Sequence, residues 1–296
     1  CCVIILKKYS PYFLLMLFIS CAVGPIPNQI KEGTNNDLVD SFDLKGQQFE
    51  KFKVNTVVEE KLQPVKKVEV VNPPKNKKKS KASTVPEVVK DIYPADYPAE
   101  YKVYDESSKK LWESFRPLVF KNEEIKFSVK YLGVTAGYIT LKTKGLVNIA
   151  GKQAYHYFAQ LNSAPFYNMI YKADDQIYTY LEKNNFLPIK YSLVQRESGQ
   201  SIDDLQLFDS DQFKTFYWYK RLKKGQEKTE EDSAYMPKYF QDSVSALFFV
   251  RGLPLKEGDV YEFPIATRAK MWLLKMKVVG IEKIDSGYKI IVKNIN

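Results

Sequence analysis

The sequence predicts a mostly β protein: an antiparallel curved sheet or incomplete barrel with one or two packed helices, preceded by a disordered linker. Three observations predict this class. Beyond residue 120, short segments of alternating apolar and polar residues follow one another, with turn residues at intervals of about ten. Tyr and Phe occur 21 and 18 times, and aromatic residues favour strands. Residues 22–98, by contrast, are polar, Pro-punctuated and poor in large apolar side chains.

The N-terminus has the three parts of an export signal. Lys7 and Lys8 form a positive n-region, and residues 12–19 form an apolar run shorter than the ~20 residues of a membrane-spanning helix. A serine then precedes Cys21, and the four residues FISC resemble the site where a lipoprotein signal peptidase cuts before a cysteine that becomes lipidated. We therefore predict a signal peptide over residues 1–20 and lipidation at Cys21.

Two alternatives to this processing stay open. The apolar run could remain as an uncleaved anchor with an incidental cysteine. A cut after Gly24 by the ordinary signal peptidase would place Pro25 first, which is unfavourable. The chain does not begin with Met, and Leu6 with the two following lysines resembles the usual start of a signal peptide. Our hypothesis is that residues 1–5 are not translated.

Cysteine usage and charge exclude several classes of function. The three cysteines are Cys1, Cys2 and Cys21, so the body lacks a disulfide framework, a thiolate metal site and a cysteine nucleophile. With a single histidine as well, we expect no metal and no cofactor. The net charge of +10 includes a Lys cluster at 75–81, which suits a solvated spacer or contact with anionic lipids. Nucleic acid is not expected, because the signal directs export.

A lipid-anchored linker over residues 21–100 and a β-rich domain over 101–296 are the expected units. The domain opens with a helix at 105–115, where apolar residues recur at helical spacing. Pro165 predicts a short helix start, and a second helix over 240–254 is capped by Asp242 or Ser243 and ended by Gly252. Strands are predicted in EEIKFSVKYLG, YITLKTKG, KQAYHYFAQLNS, QIYTYLE, LPIKYSLVQRE, DLQLFDS, QFKTFYWYKRL, DVYEFPIAT, KMWLLKMKVVGIEKI and GYKIIVKNI.

Candidate catalytic groups are few. His156 lies in a Tyr-rich strand, where a structural hydrogen bond is the favoured role over catalysis. The acidic pairs Asp174–Asp175 and Asp203–Asp204 diverge to opposite faces if they lie within strands. Glu197 or Asp209 could join one of these residues in space, as glycoside hydrolysis requires. We assign no catalytic residue.

Aromatic residues are the candidate ligand-binding groups. Phe216 and Trp218 share one face of a strand, and Tyr155 and Tyr157 share a face of another. With Trp272, they suit the stacking of a sugar ring or the burial of an acyl chain, so a lipid or a glycan is the expected ligand. The alternative is packing, with core on one side of the strand and a lid on the other.

Three segments in order resemble the exported bacterial family catalogued as domain of unknown function 3108. They are LVFKNEEIKFSVKYLGVTAGYITLKTKG, with its Gly-x-x-Ala-Gly turn at 133–137, then FYNMIYKADDQIYTYLEKNNFLPIKYSLVQRESG and DSVSALFFVRGLPLKEGDVYEFPI. The resemblance covers roughly residues 118–295, about the whole folded domain. The resemblance implies an exported, strand-rich protein without an established activity, similar by analogy to the half-barrels of lipoprotein carriers. It also implies further strands after residue 296, so we expect a truncated C-terminus with an unpaired edge.

The function expected from these features is that of an envelope lipoprotein. Its β domain binds a ligand or partner without catalysis, and its lipid at Cys21 holds it in the outer membrane, facing the periplasm. The Ala after Cys21 favours this sorting over retention in the inner membrane. One alternative is a hydrolase acting on envelope polysaccharide or peptidoglycan through paired carboxylates. Another is a structural tether. The sequence does not indicate the oligomeric state.

Overall fold

Two antiparallel sheets form the fold. The computed structural model describes residues 38–42, 44, 47–56, 93–284 and 287–294. The large sheet has nine strands: β1 (Asn55–Thr56), β2 (Glu124–Tyr131), β3 (Val134–Ile149), β4 (Lys152–Ser163), β5 (Ala173–Glu182), β6 (Pro188–Glu197), β7 (Gln200–Asp209), β8 (Lys214–Lys223) and β9 (Gln226–Tyr235). The small sheet has β10 (Val260–Thr267), β11 (Lys270–Ile284) and β12 (Gly287–Asn294).

Short helices accompany the sheets. They are α1 (Leu38–Ser41), α2 (Gln47–Glu50), α3 (Ala99–Ser114), α4 (Ser245–Arg251) and a 3-10 helix (Tyr167–Met169) between β4 and β5. Among the described residues, no helix is long and apolar enough to cross a membrane. The predicted signal peptide and Cys21 lie outside the described residues.

The large sheet is curved and open. Strands β3 to β9 pair in chain order, while β2 pairs with the first half of β3 and β1 with its end. Within the described part of the chain, β9 does not pair with β2, so the sheet does not close into a barrel. The mostly β, antiparallel class is confirmed, as a curved sheet rather than a barrel.

One face of the large sheet, here the inner face, packs against α3, α4 and the small sheet. Phe249 of α4 stacks on Trp112 and Phe115, with ring centroids 4.3 and 4.6 Å away. Phe248 of the same helix lies 4.0 Å from the ring of Tyr157 on β4. Each aromatic side chain buried in this way contributes about 1.5–3 kcal/mol, so α4 stabilises the packing on the inner face together with α3 and the small sheet.

Helix α4 has the predicted cap and ends at the predicted glycine. The Asp242 carboxylate accepts hydrogen bonds from the backbone N–H groups of Val244 and Ser245, both at 2.8 Å, which is N-terminal capping. Gly252 ends the helix with a φ of −91°, which any residue adopts. Glycine is needed there for space, because a Cβ atom would lie 2.3 Å from the ring of Phe115.

The opposite face, here the outer face, is covered by the N-terminal strap, meaning the described residues between 38 and 56. Leu38, Val39 and Phe52 are buried in one apolar cluster with residues of β3 to β8. Phe49 meets the rings of Phe216 and Trp218 edge-on, at 5.3 and 5.1 Å. The strap therefore gives the sheet a second core.

The linker predicted for residues 21–100 needs correction at two stretches that the structure describes, the strap and residues 93–100. The strap packs on the sheet, and the domain begins before residue 101, because Tyr97 is buried and α3 starts at Ala99. The strap could not be recognised from its average polarity. A few large apolar residues among polar ones are enough to pack a segment when strands far away in the sequence form the face that they contact. Residues 57–92, with their Lys cluster, connect the strap to α3 and lie outside the described residues.

Candidate functional site

Two carboxylates meet on the inner face at the ends of β5 and β6. The Gln195 amide donates to Asp175 Oδ2 at 3.2 Å and to Glu197 Oε1 at 2.9 Å, so it bridges them. Glu197 Oε2 also accepts from the side chain of Gln200 at 2.5 Å, and Asp175 Oδ1 accepts from the Arg196 N–H at 3.1 Å. The sequence left open whether Glu197 or Asp209 joins an acidic pair, and in the structure Glu197 lies beside Asp175 of the first pair.

Strand geometry builds this pair. Asp175 lies opposite Gln195 in the β5–β6 ladder, and Glu197 is two residues further along β6, on the same face. Asp174 diverges to the other face, where it accepts from Asn162 and from a neighbouring glutamine. Divergence of adjacent acidic residues was predicted, and the bridging role of Gln195 was not. Its place two residues before Glu197 is the signal that could have indicated it.

Asp175 is the member of the carboxylate pair with an altered pKa. Burial first, and then the nearby Glu197 charge, together raise the pKa of Asp175 to about 7. At neutral pH, Asp175 is therefore partly protonated beside a second carboxyl group. Each side chain is only 4% exposed, and both are hydrogen-bonded within the protein. A substrate has no open approach to them in this structure.

A second buried carboxylate binds the β10–β11 turn to the large sheet. Asp204 Oδ2 accepts from Arg268 Nε at 3.1 Å, and the side-chain oxygen of Gln206 accepts from the Arg268 N–H at 2.9 Å. The guanidinium group lies 4.8 Å from the ring centre of Tyr219. Burial raises the pKa of Asp204, and the Arg268 charge opposes that rise. Asp203 diverges, as predicted, and pairs with another arginine.

The Arg268 turn is strained. Arg268 and Ala269 have φ values of +51° and +54°, in the left-handed region that favours glycine. Beside it, the Tyr217 hydroxyl is buried and has no hydrogen-bond partner among the described residues. Burial, then the Asp204 charge, raise the Tyr217 pKa, so the phenol stays neutral. This arrangement joins the two sheets and leaves one polar atom with spare hydrogen-bonding capacity.

The aromatic residues predicted to bind a ligand lie at three separate places. Tyr157 is buried under α4, and Tyr155 packs beside it, with ring centroids 6.4 Å apart. Phe216 and Trp218 are on the outer face beneath the strap. Trp272 is 61% exposed on β11 of the small sheet. The structure therefore does not bring them into one site, and the strap is the lid that the packing alternative required.

The remaining candidates have structural surroundings. His156 stacks on Tyr180 at 4.6 Å, and its Nε2 has no hydrogen-bond partner among the described residues, in contrast to the hydrogen bond expected. Burial, then the charges of Lys144 and Lys190, lower the pKa of His156 to about 4, so it is neutral at pH 7. Asp209 pairs with Lys51 of the strap at 2.7 Å. In the described ranges, no group of three or more His, Cys, Asp or Glu residues could hold a metal ion.

A basic surface depression lies on the β8–β9 hairpin. It is lined by Arg221, Lys223, Lys224, Gln226, Glu227 and Lys228. The hairpin turn follows the usual two-residue geometry, with Lys224 and Gly225 at φ values of +50° and +75°. Four of the six lining side chains are basic, which suits contact with an anionic surface.

Comparison with known proteins agrees with the sequence resemblance. The family model described as "Protein of unknown function (DUF3108)" matches residues 126–293, which contain strands β3 to β11 and helix α4. No curated protein and no solved structure matches the chain. The match covers more than half of the sequence and all of the large sheet from β3 onward. The chain belongs to the DUF3108 family of proteins of unknown function.

Proposed function

We propose that the protein is a cell-envelope lipoprotein, anchored at Cys21, whose β domain binds a ligand or partner without catalysis. The positive n-region, the short apolar run and the FISC stretch support export and lipidation. The lipid would place the domain at the outer membrane, on the periplasmic side. The domain itself supplies the surfaces that contact other molecules.

Enclosure of the carboxylate pair is the observation that carries binding over catalysis. Asp175 and Glu197 are each 4% exposed and share the Gln195 amide, so no substrate bond can lie between them without rearrangement. The inner face is filled by α4, and the outer face is covered by the strap. The apolar clusters on both faces are filled by the protein's own side chains. A ligand or partner would therefore bind at the surface of the domain.

The strap shortens the proposed tether. Residues 22–37 separate Cys21 from Leu38, the first described residue, and sixteen residues span at most about 55 Å when fully extended. The domain of a protein lipidated at Cys21 would therefore stay close to the bilayer surface. A tether running to residue 100 would have allowed a much greater distance.

Labelling with a fatty-acid analogue tests the anchor. Wild-type protein should incorporate label and fractionate with membranes, whereas Cys21→Ala should lose both. Cys2→Ala is the control and should behave like wild type, because residue 2 precedes the proposed cleavage site and is absent from the mature chain whether or not residues 1–5 are translated. Equal labelling of wild type and Cys21→Ala would contradict the proposal.

A hydrolase is the second candidate, favoured by the pKa of about 7 at Asp175 beside Glu197. It predicts turnover of purified peptidoglycan or envelope polysaccharide that is abolished in both Asp175→Asn and Glu197→Gln. Asp174→Asn, which changes the neighbouring carboxylate on the other face, should keep that turnover. Absence of turnover in the wild type, or its persistence in both variants, would exclude this candidate.

A further inference from the structure

Four connections meet at one end of the large sheet, here called the loop end. The antiparallel order places the β2–β3 turn, the β4–β5 connection, the β6–β7 turn and the β8–β9 turn on the same side. The connections at the opposite end include β3–β4, β5–β6 and β7–β8. The loop end is therefore a single surface built from distant parts of the sequence.

Large apolar side chains protrude from the first two of these connections. Six of them are exposed, with Leu132 at 87% and Met169 at 78%; the six are Tyr131, Leu132, Val134, Phe166, Met169 and Ile170. The backbones are close, because the Ala164 N–H donates to the Ala136 oxygen at 2.8 Å. Single exposed apolar residues are common on proteins, but a group at one tip marks an interaction surface.

Leu132 is exposed at a position where local structure opposes leucine. It has a φ of +48° and precedes Gly133 at +83° in a two-residue turn, where Asn or Gly is preferred first. Leucine at this position thus has an unfavourable backbone conformation, and its side chain is not buried within the domain. A contact outside the domain accounts for both features.

In the β4–β5 connection, hydrogen bonds fix the backbone that carries the exposed apolar residues. Ser163 Oγ donates to Asn168 Oδ1 at 2.7 Å and accepts from the Ala173 N–H at 2.9 Å. The Ile170 N–H donates to the Tyr167 oxygen at 2.9 Å, which closes the 3-10 helix. Hydrogen bonds within the connection therefore fix the outward direction of the chain, so the exposure is built into the structure.

Basic residues lie at the same end of the sheet as the apolar tips. Lys130 is the penultimate residue of β2 and Lys172 precedes β5, so both are beside the tips, whereas Lys223 and Lys224 lie at the β8–β9 turn, four strands along from β4. The Glu197 carboxylate at this end is buried and hydrogen-bonded, so it does not offset the lysines at the surface. Apolar side chains flanked by lysines match the bilayer interface, where acyl chains lie beneath anionic headgroups.

We propose that the loop end docks on an anionic lipid bilayer, with its apolar side chains inserted and its lysines on the lipid phosphates. The proposal names the bilayer as the partner in the function proposed above, and rests on that function for the presence of the membrane. A tether of residues 22–37 would keep the loop end within reach of the surface. The interaction itself needs no acyl chain, so it can be tested without one.

The test uses residues 21–296 with Cys21→Ala, which contain every described residue and no cysteine. Leu132→Asn should lower partition onto phosphatidylglycerol-containing vesicles about tenfold, from the lost burial of one leucine. The same variant should raise the urea midpoint, because asparagine suits the turn. Leu118→Asn, at a 47% exposed leucine away from the loop end, is the matched control and should bind normally. Equal binding by Leu132→Asn and its parent would overturn the proposal.

A fluorescent label locates the contact. An environment-sensitive dye on Met169→Cys should shift to the blue with anionic vesicles, less so at high salt or with phosphatidylcholine alone. Asn184→Cys, in the β5–β6 turn at the opposite end, should not respond. A response at both positions, or at neither, would overturn the proposal. A shift at Met169→Cys that follows protein concentration without vesicles would also overturn it, in favour of a second copy as the partner.

Discussion

Asp175 shows how a single residue couples protonation to folding. Its carboxyl group lies between strands, away from water, with Glu197 next to it, and its pKa is raised to about 7. In the unfolded chain the pKa returns to an ordinary value near ~4. The folded state therefore holds this proton more tightly, and the contribution of Asp175 to stability is full below the unfolded value and is lost as pH rises through 7.

Asp175→Asn should remove this pH dependence. In the wild type, the contribution amounts to at most about 4 kcal/mol in the free energy of unfolding, lost between about pH 4 and 7. The amide has the same shape and does not ionise, so the variant should have a flatter profile. Urea unfolding at several pH values measures how the free energy of unfolding depends on pH in each protein. Asp174→Asn serves as the control and should keep most of the pH dependence, because the Asp174 charge is the smallest of the causes that raise the pKa of Asp175. An unchanged profile in Asp175→Asn would refute the assignment.

In the β10–β11 turn, backbone strain and a stabilising side-chain contact can be tested at neighbouring residues, the strain at Ala269 and the contact at Arg268. Other two-residue turns, such as Ala150–Gly151 and Lys224–Gly225, place glycine second, and Arg268–Ala269 does not. Ala269→Gly should therefore raise the free energy of unfolding by about 1 kcal/mol. Arg268→Ala should lower it by about 2 kcal/mol, because the Asp204 carboxylate stays buried without its partner. Thermal or urea unfolding compares the two; a loss of stability in Ala269→Gly would contradict the strain.

Among the elements, the N-terminal strap differs most from what the sequence predicted, because it packs on the sheet. It contributes buried aromatic and aliphatic residues to the outer face, and two lysine contacts hold it there. Lys190 of β6 donates to the Phe52 oxygen at 3.2 Å, and Lys51 of the strap pairs with Asp209 at 2.7 Å. Without the strap, the apolar row containing Leu205 and Trp218 would face water.

Phe52→Ala should release the strap. Phe52 is 1% exposed, so its truncation should cost about 3–5 kcal/mol in the free energy of unfolding. Proteolysis between residues 47 and 56 should become faster than in the wild type. Phe166→Ala, at a 64% exposed ring, should change stability by about 0.5 kcal/mol or less. Similar stability of Phe52→Ala and the wild type would show that the strap does not pack as described.

Elements of regular period could be predicted from the sequence, and contacts between elements could not. Strand β2 alternates clearly between apolar and polar residues, and the Asp242 cap of α4 is local, so each is visible in the order of residues. The strap lacked such a signal because its burial depends on a face formed by β3 to β8. Likewise, the meeting of Asp175 with Glu197 depends on the register between β5 and β6, which no single segment contains.

For the molecule as a whole, much of both faces of the large sheet is covered by other parts of the chain, while β9 is largely exposed. The loop end carries exposed apolar and basic residues together. The proposed lipid at Cys21 and the proposed docking of the loop end would act on the same membrane. A short connection between them would make the second contact effectively intramolecular, which strengthens a weak interaction.

Mass spectrometry of the N-terminal peptide, released from protein extracted from native membranes, tests whether Cys21 is the lipidated first residue. We expect a peptide that begins at Cys21 and carries a diacylglyceryl group and an amide-linked acyl chain, both on Cys21. Cys21→Ala should not yield this species. A peptide from the unprocessed chain, or an unmodified peptide that begins at Pro25, would contradict the account.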